Sequence, residues 1–354
     1  MKINFVVPFL SLTGGLKIIF EYATRIKKKG NEVKIYVPYK PYKVYYKENK
    51  TIWLKQYIKN IINGNNIQWA DFDLEIIPIP SIKERYIDDG DIIIATAWPT
   101  AYDVNNLSEN KGKKVYFIQD YEIWHGDIEK VEQTYKFDME QIVIAQWLKE
   151  LVEKKNGNKK AHLIYNGIDL NEMYNNDKNY NLNSKNVVML YHNLPSKGTN
   201  DGIEIINKIR KEDNSINLIM FGAEKGDNIP DYAEFYLLPE RREIREIYSR
   251  GDVFLFTSIS EGWGLTPLEA MACKCAVVGR DVGAIKEIGD NNKNVLKSNV
   301  EDVDSLEKNL IKVLNDINLR KTLSEEGYKL IKQFDWSKSV EKFYNVLEGT
   351  LDQE

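Results

Sequence analysis

The chain has 354 residues, 43% hydrophobic and 29% charged, with a formal net charge of −4. That length suits two domains better than one, and the composition is globular, not disordered or fibrous. No apolar run approaches the roughly 18 residues of a membrane span, and Met1 to Val7 lacks the features of a signal peptide. Cys273 and Cys275, one residue apart, give no disulfide framework and a poor metal site. The expected location is therefore the cytoplasm.

Charge is uneven along the chain. Residues 1–60 hold thirteen Lys or Arg against three acids, Glu21, Glu32 and Glu48. Within them the stretch 40–60 interleaves bases with aromatics, as in Lys40-Pro41-Tyr42-Lys43-Val44-Tyr45-Tyr46-Lys47. It reads either as a solvated Lys-rich face or as a surface for anionic headgroups or an anionic acceptor at the inner face of the cell membrane. No nucleic-acid motif accompanies it, so nucleic acid is not expected as a partner.

Lys2 to Phe9 reads as a first strand, followed by Thr13-Gly14-Gly15. Leu16, Ile19, Phe20, Ala23 and Ile26 then recur at helical spacing and Gly30 closes the helix. Glu32 to Val37 is the next strand. This βαβ opening puts Gly14 and Gly15 at a helix N-terminus, either as an ordinary turn or where backbone can approach a ligand. A helix is expected near 52–62. Further strands are Asp91 to Thr96, Lys114 to Ile118, Gln141 to Ala145 and His162 to Tyr165. Residues 171–185 are polar and non-periodic and read as a linker.

The βα rhythm then restarts. Asn186 to Tyr191 is a strand, Pro195-Ser196-Lys197-Gly198 a loop, and Ile203, Ile206 and Ile209 mark a helix. Asn217 to Phe221, Asp252 to Ser258 and Cys275 to Gly279 are strands, with a charged helix over 240–249 and a last helix from 338. Two βα arrays imply an α/β protein with two Rossmann-like domains facing each other across a cleft. The expected boundaries are 1–170 for the first domain and 186–337 for the second, with helix 338–354 returning to the first.

The most informative stretch is Glu261-Gly262-Trp263-Gly264-Leu265-Thr266-Pro267-Leu268-Glu269, between a strand and a helix. Thr266-Pro267-Leu268-Glu269 reads locally as a capping box, with Thr266 at N-cap and Glu269 bonding back to its N–H. Glu261 before Gly-Trp-Gly is not explained that way. It leaves bare N–H groups beside a helix N-terminus, a place for phosphate.

Glu261-x7-Glu269 followed by Ala270-Met271-Ala272 resembles the signature of family 4 (group 1) glycosyltransferases, retaining enzymes of the GT-B fold. Gly14-Gly15, Asn166-Gly167-Ile168-Asp169, Lys197-Gly198 and Phe334-Asp335-Trp336 fall where that family places similar elements, so the resemblance spans nearly the whole chain. It implies sugar transfer from a nucleotide-diphosphate sugar (UDP-, dTDP- or GDP-linked) to a hydroxyl of a glycan or lipid-linked acceptor in polysaccharide synthesis. No metal or further cofactor is implied. Glu269 would hold the ribose and Glu261 the donor sugar. Lys197 and the N–H groups of Leu265 and Thr266 would hold the diphosphate, with Gly262, Trp263 and Gly264 shaping the loop. Gly14 and Gly15 would approach it from the other domain.

His192 departs from the family, which places an arginine there; a histidine offers fewer donors and a charge that depends on pH. Gln119-Asp120-Tyr121-Glu122 is similar to a subgroup that includes rhamnosyltransferases using dTDP-rhamnose. Asp120 is the residue expected to face the reacting sugar, with His125 a second candidate. Three alternatives stay open: a sugar-nucleotide epimerase or phosphorylase on the same fold, a non-catalytic partner that binds nucleotide sugar or glycan, and a metal-dependent transferase of another fold using Asp71-Phe72-Asp73 or the acidic run Asp88 to Asp91.

Overall fold

Short apolar runs buried on both faces build the sheets, as parallel strands require. Ile92–Ala95 and Val253–Phe256 are buried at every position. The computed structural model describes residues 1–10, 13–42, 73–123 and 127–352. It divides into two compact units, Met1–Tyr165 with Ser337–Glu354, and Asn166–Trp336.

The first unit carries strands Lys2–Val6 (β1), Glu32–Pro38 (β2), Glu75–Ile79 (β3), Ile92–Ala95 (β4), Lys113–Ile118 (β5), Glu140–Val143 (β6) and His162–Leu163 (β7). They form a seven-stranded sheet in the order β3-β2-β1-β4-β5-β6-β7, and every pair is parallel. The strand order reverses between β1 and β4. The helix Gly14–Lys28 follows β1; its N-cap Thr13 accepts the N–H of Leu16, and Arg25, Lys27 and Lys28 occupy its last turn, where cations suit the dipole.

The second unit carries strands Asn186–Leu190 (β8), Asn217–Gly222 (β9), Glu234–Leu237 (β10), Val253–Phe256 (β11), Ala276–Arg280 (β12) and Leu296–Ser298 (β13). They form a six-stranded sheet in the order β10-β9-β8-β11-β12-β13, again parallel throughout. Alternate residues Val187 and Met189, Leu218 and Met220, Val253 and Leu255, and Ala276 and Val278 share one core with Ile206, Leu306 and Leu310, as period-two geometry dictates. The order reverses between β8 and β11. A crevice at such a reversal, outside the carboxyl ends of the strands, is where open α/β sheets bind ligands.

Residues 171–185 are not a free-standing linker. They lie along the second unit, because their polar side chains find partners there. Lys178 donates to the carbonyl of Gly251, Tyr180 shares a 2.8 Å hydrogen bond with Ser324, and Ser184 donates to Asp252 at 2.7 Å. The Asn166 to Asp169 segment pairs with Phe334 to Trp336 through Ile168 N–H to Phe334 O at 2.8 Å and Trp336 N–H to Ile168 O at 3.3 Å. Gly167 lies so close to this partner that a Cβ there would meet the Trp336 Cα at 2.6 Å. The basic aromatic stretch falls outside the described residues apart from Lys40, Pro41 and Tyr42, as does the helix expected near 52–62. Among the described residues no helix is long and apolar enough to cross a membrane.

The chain's last helix, Trp336–Leu351, docks through Phe343. Its ring stacks on Tyr22 with centroids 4.5 Å apart and meets Phe117 edge-on at 5.2 Å. Ser339 adds a hydrogen bond to the carbonyl of Tyr165 at 2.7 Å. Phe343→Ala is expected to destabilise the first unit by about 3–5 kcal/mol, the cost of emptying a buried aromatic site. Denaturant unfolding followed in that unit checks this; a loss under about 1 kcal/mol would show that the helix contributes little to the fold.

Candidate functional site

At the carboxyl end of β8 the chain passes through Tyr191 and His192 into a short turn, Pro195–Lys197, and then the helix Thr199–Glu212. Gly198 makes the corner with φ +60°, and a Cβ there would sit 2.2 Å from the Thr257 carbonyl oxygen and 2.4 Å from Arg280 Nη1. Both the left-handed backbone and the close approach require glycine. The corner fixes Lys197, whose carbonyl accepts Thr257 Oγ1 at 2.8 Å. His192 Nδ1 accepts the N–H of Leu194 at 3.0 Å, so its proton lies on Nε2. Burial, with Lys197 beside it, holds His192 below the usual histidine range. It is therefore neutral at pH 7 and lacks the permanent charge of an arginine.

At the carboxyl end of β11 stand Thr257 and Ser258, both buried. Glu261 follows in the loop. Its Oε1 accepts Lys197 Nζ at 2.7 Å and Ser258 Oγ at 2.8 Å. The lysine and glutamate side chains are 23% and 13% exposed, so this pair is partly shielded from water. Gly264 takes φ +80°, and Gly283 takes φ +56° with room for no side chain, since a Cβ would meet Trp263 O at 2.4 Å and Glu261 Cβ at 2.9 Å. The Trp263 side chain is buried and its ring lies 6.4 Å from that of Phe334. A small cavity at these strand ends is lined by Leu190, Lys197, Thr257, Ser258 and Thr266 among others.

The helix Thr266–Ala272 does not begin as the local pattern suggests. Leu265, in the right-handed helical region at φ −76° and ψ −27°, occupies the N-cap, with no side-chain cap bond. Thr266 is thus already inside the helix. The Glu269 carboxylate meets Arg241 Nη1 at 2.6 Å and the Tyr248 hydroxyl at 3.4 Å. Arg241, first residue of the helix Arg241–Arg250, also reaches Glu172 at 3.2 Å. A cation 28 residues away in sequence competes for the carboxylate that the capping pattern would have used locally.

The sequence pattern did not single out Arg241, Ser258 or Arg280. Each sits at or just beyond the carboxyl end of a parallel strand, and that position alone was a usable signal. Arg280 is almost fully buried. It donates through Nη1 to Thr257 O at 2.6 Å and pairs through Nη2 with Asp201.

In the first unit, Gly14 and Gly15 open the helix after β1. A Cβ at Gly14 would meet nothing within 4 Å, and one at Gly15 would meet Gln119 at 3.5 Å, so packing does not impose glycine at either. The Asp120 carboxylate, just past β5, accepts the N–H of Tyr121 at 2.7 Å. Glu122 accepts the N–H of Trp98 at 2.8 Å, at the start of the helix Trp98–Asn105. Burial of the Glu122 carboxyl, reinforced by the charge of Asp120, pushes it up to about 8 despite that hydrogen bond. His125, Asp71 and Phe72 lie outside the described residues. Asp88 and Asp89 pair with Lys34 and Lys111, each at 2.7 Å, and among the described residues no cluster of three or more His, Cys, Asp or Glu is placed to hold a metal ion. Cys273 and Cys275 are free, buried thiols, and burial pushes Cys275 up to about 12.

Residues 171–330 match the family of glycosyl transferases group 1. An uncharacterised glycosyltransferase of Methanocaldococcus jannaschii is 29% identical over 219 residues, 60% of each chain. A probable sucrose-phosphate synthase of Thermosipho melanesiensis is 27% identical over 209 residues, 53% of this chain and 47% of that one. The matched stretches thus span 60% or less of these curated relatives. Among solved structures, Anabaena HepE in complex with UDP and glucose superposes with a TM-score of 0.75 at 15% identity, covering 99% of this chain and all of that one. The fold is GT-B, an α/β architecture of two parallel sheets with helices.

The Glu122 carboxyl yields a pH prediction. In the unfolded chain a glutamate ionises near pH 4.3, while the folded chain retains the proton up to about 8. The folded state therefore binds more protons between these values, and its stability falls as pH rises through that window. Glu122→Gln removes the effect. Melting curves should show wild type losing ground to the variant from pH 5 to pH 8 and holding a constant offset above that; an offset constant from pH 5 upward would show that Glu122 titrates normally.

Proposed function

We propose that this chain is a retaining, metal-independent glycosyltransferase. It moves a sugar from a nucleotide-diphosphate sugar to a hydroxyl of a glycan or lipid-linked acceptor. One observation carries the reading: Lys197 and Glu261 stand 2.7 Å apart at the strand-order reversal between β8 and β11. A lysine can neutralise a diphosphate, and a carboxylate can accept sugar hydroxyls. Glu269, one helix start further on, is the carboxylate for the ribose. The N–H groups of Leu265 and Thr266 add donors for phosphate. The UDP and UDP-glucose bound by Anabaena HepE are the kind of ligand such a site would take.

In the reaction the bond from the anomeric carbon to the phosphate oxygen breaks and its electron pair stays with the phosphate. The acceptor oxygen attacks from the same face, and its proton passes to a leaving phosphate oxygen. Positive charge develops on the sugar ring and negative charge on the diphosphate. Stabilisation of the diphosphate by Lys197 and the backbone N–H groups is the main catalytic contribution. Of the first unit's residues, Gly14 and Gly15 are the candidates for the diphosphate and Asp120 the candidate for the reacting sugar. The basic aromatic stretch 40–60 would favour an anionic membrane surface, and with it a lipid-linked acceptor.

A thermal-shift panel of UDP, GDP, ADP and dTDP tests the donor class, since binding to the folded state raises its melting temperature; at least one should stabilise the chain, and none doing so would reject a nucleotide donor. Glu261→Ala should then slow transfer by about 10- to 150-fold, the effect of losing hydrogen bonds to a charged group. Transfer at the wild-type rate would remove Glu261 from the site.

A further inference from the structure

Lys197 and Glu261 are read above as gripping different parts of one donor, yet in this structure they satisfy each other. The lysine ammonium lies 2.7 Å from Glu261 Oε1, and Ser258 donates to the same oxygen at 2.8 Å. No other cation is paired with Glu261 among the described residues, and His192 is neutral. Whatever draws Lys197 away leaves a largely buried carboxylate held by one hydroxyl. Such a carboxylate needs replacement donors, because a shielded charge without a partner is costly.

Two ligands of the proposed reaction differ in whether they supply those donors. A nucleotide-diphosphate sugar brings phosphate oxygens to Lys197 and sugar hydroxyls to Glu261, so both partners are replaced. The spent nucleoside diphosphate brings only the phosphate. We propose that the Lys197–Glu261 pair lets the site distinguish loaded donor from spent product: Glu261 competes with the diphosphate for Lys197 whenever no sugar hydroxyl occupies the carboxylate. This rests on the donor-site reading above. After transfer, the departing sugar frees Glu261, the carboxylate recaptures the lysine, and the product loses part of its grip. Ser258 holds Glu261 in the same place in both states. Glu261 is then a specificity-determining residue as well as a sugar ligand.

The consequence is opposite in sign to the usual effect of deleting a binding residue. Glu261→Gln should bind UDP about fivefold tighter than wild type, the worth of roughly one partly shielded ion pair, while UDP-glucose binds no tighter. If the thermal-shift panel selects another base, its diphosphate and hexose conjugate replace this pair of probes. Titration calorimetry of wild type, Glu261→Gln, Lys197→Met and the double variant measures the coupling, and the gain from Glu261→Gln should vanish once Lys197 is gone. Ser258→Ala leaves Glu261 more dependent on the lysine and should weaken UDP. Misfolding would not give effects of opposite sign in Glu261→Gln and Ser258→Ala. UDP affinity unchanged or reduced in Glu261→Gln, with wild type binding UDP, would overturn the competition while leaving the donor site intact. Wild type binding none of the four nucleoside diphosphates would instead reject the donor site, and the competition with it.

Discussion

The buried guanidinium of Arg280 fixes the spacing on which the candidate site depends. It projects from the end of β12, donates to the Thr257 carbonyl at 2.6 Å and pairs with Asp201 in the first turn of the helix after Gly198. Thr257 in turn donates its hydroxyl to the Lys197 carbonyl at 2.8 Å. The ends of β11 and β12 are thereby tied to the turn that carries Lys197, with no space for a side chain at Gly198 between them. Burying a charge costs several kcal/mol unless it is paired and hydrogen-bonded. Here the pairing partners are the groups that carry the site, so the ion pair acts as a spacer that presents Lys197 to Glu261.

In the second unit both acids assigned to the donor are already matched with a cation. Lys197 faces Glu261 and Arg241 faces Glu269, while Arg280 faces Asp201 below them. With Glu172, which also meets Arg241, three cations stand against four acids, so these groups carry no net positive charge, and the neutral His192 adds none. On the proposed reading, recognition at this edge is an exchange of partners more than a long-range attraction of an anion to a positive field. That favours ligands which can satisfy both a cation and a carboxylate at once.

Much of this was legible in the sequence. The strands announced themselves because parallel strands buried on both faces are short apolar runs, and Val253-Phe254-Leu255-Phe256 has no other use. The reversal of strand order was not legible, yet the restart of the βα rhythm after residue 185 showed that two arrays exist. Glu261 stood out because nothing local explains an acid before Gly-Trp-Gly. What the sequence hid were pairings across long separations: Arg280 with Asp201, Arg241 with Glu269, Lys178 with Gly251. The capping box at Thr266 shows the limit most clearly. Its local pattern was complete, but the backbone entered the helix one residue early at Leu265, and Arg241 arrived from another element to meet Glu269. The polar stretch 171–185 misled for a similar reason, since its composition is that of a linker while its partners lie on the second unit.

The most direct test of the donor site is a crystal structure with a bound nucleotide-diphosphate sugar. A diphosphate oxygen is expected within about 2.7–3.2 Å of Lys197 Nζ, with ribose hydroxyls on Glu269, sugar hydroxyls on Glu261, and the 2.7 Å contact between Lys197 and Glu261 opened. A nucleotide seated away from the carboxyl ends of β8 and β11, with that contact intact, would contradict this.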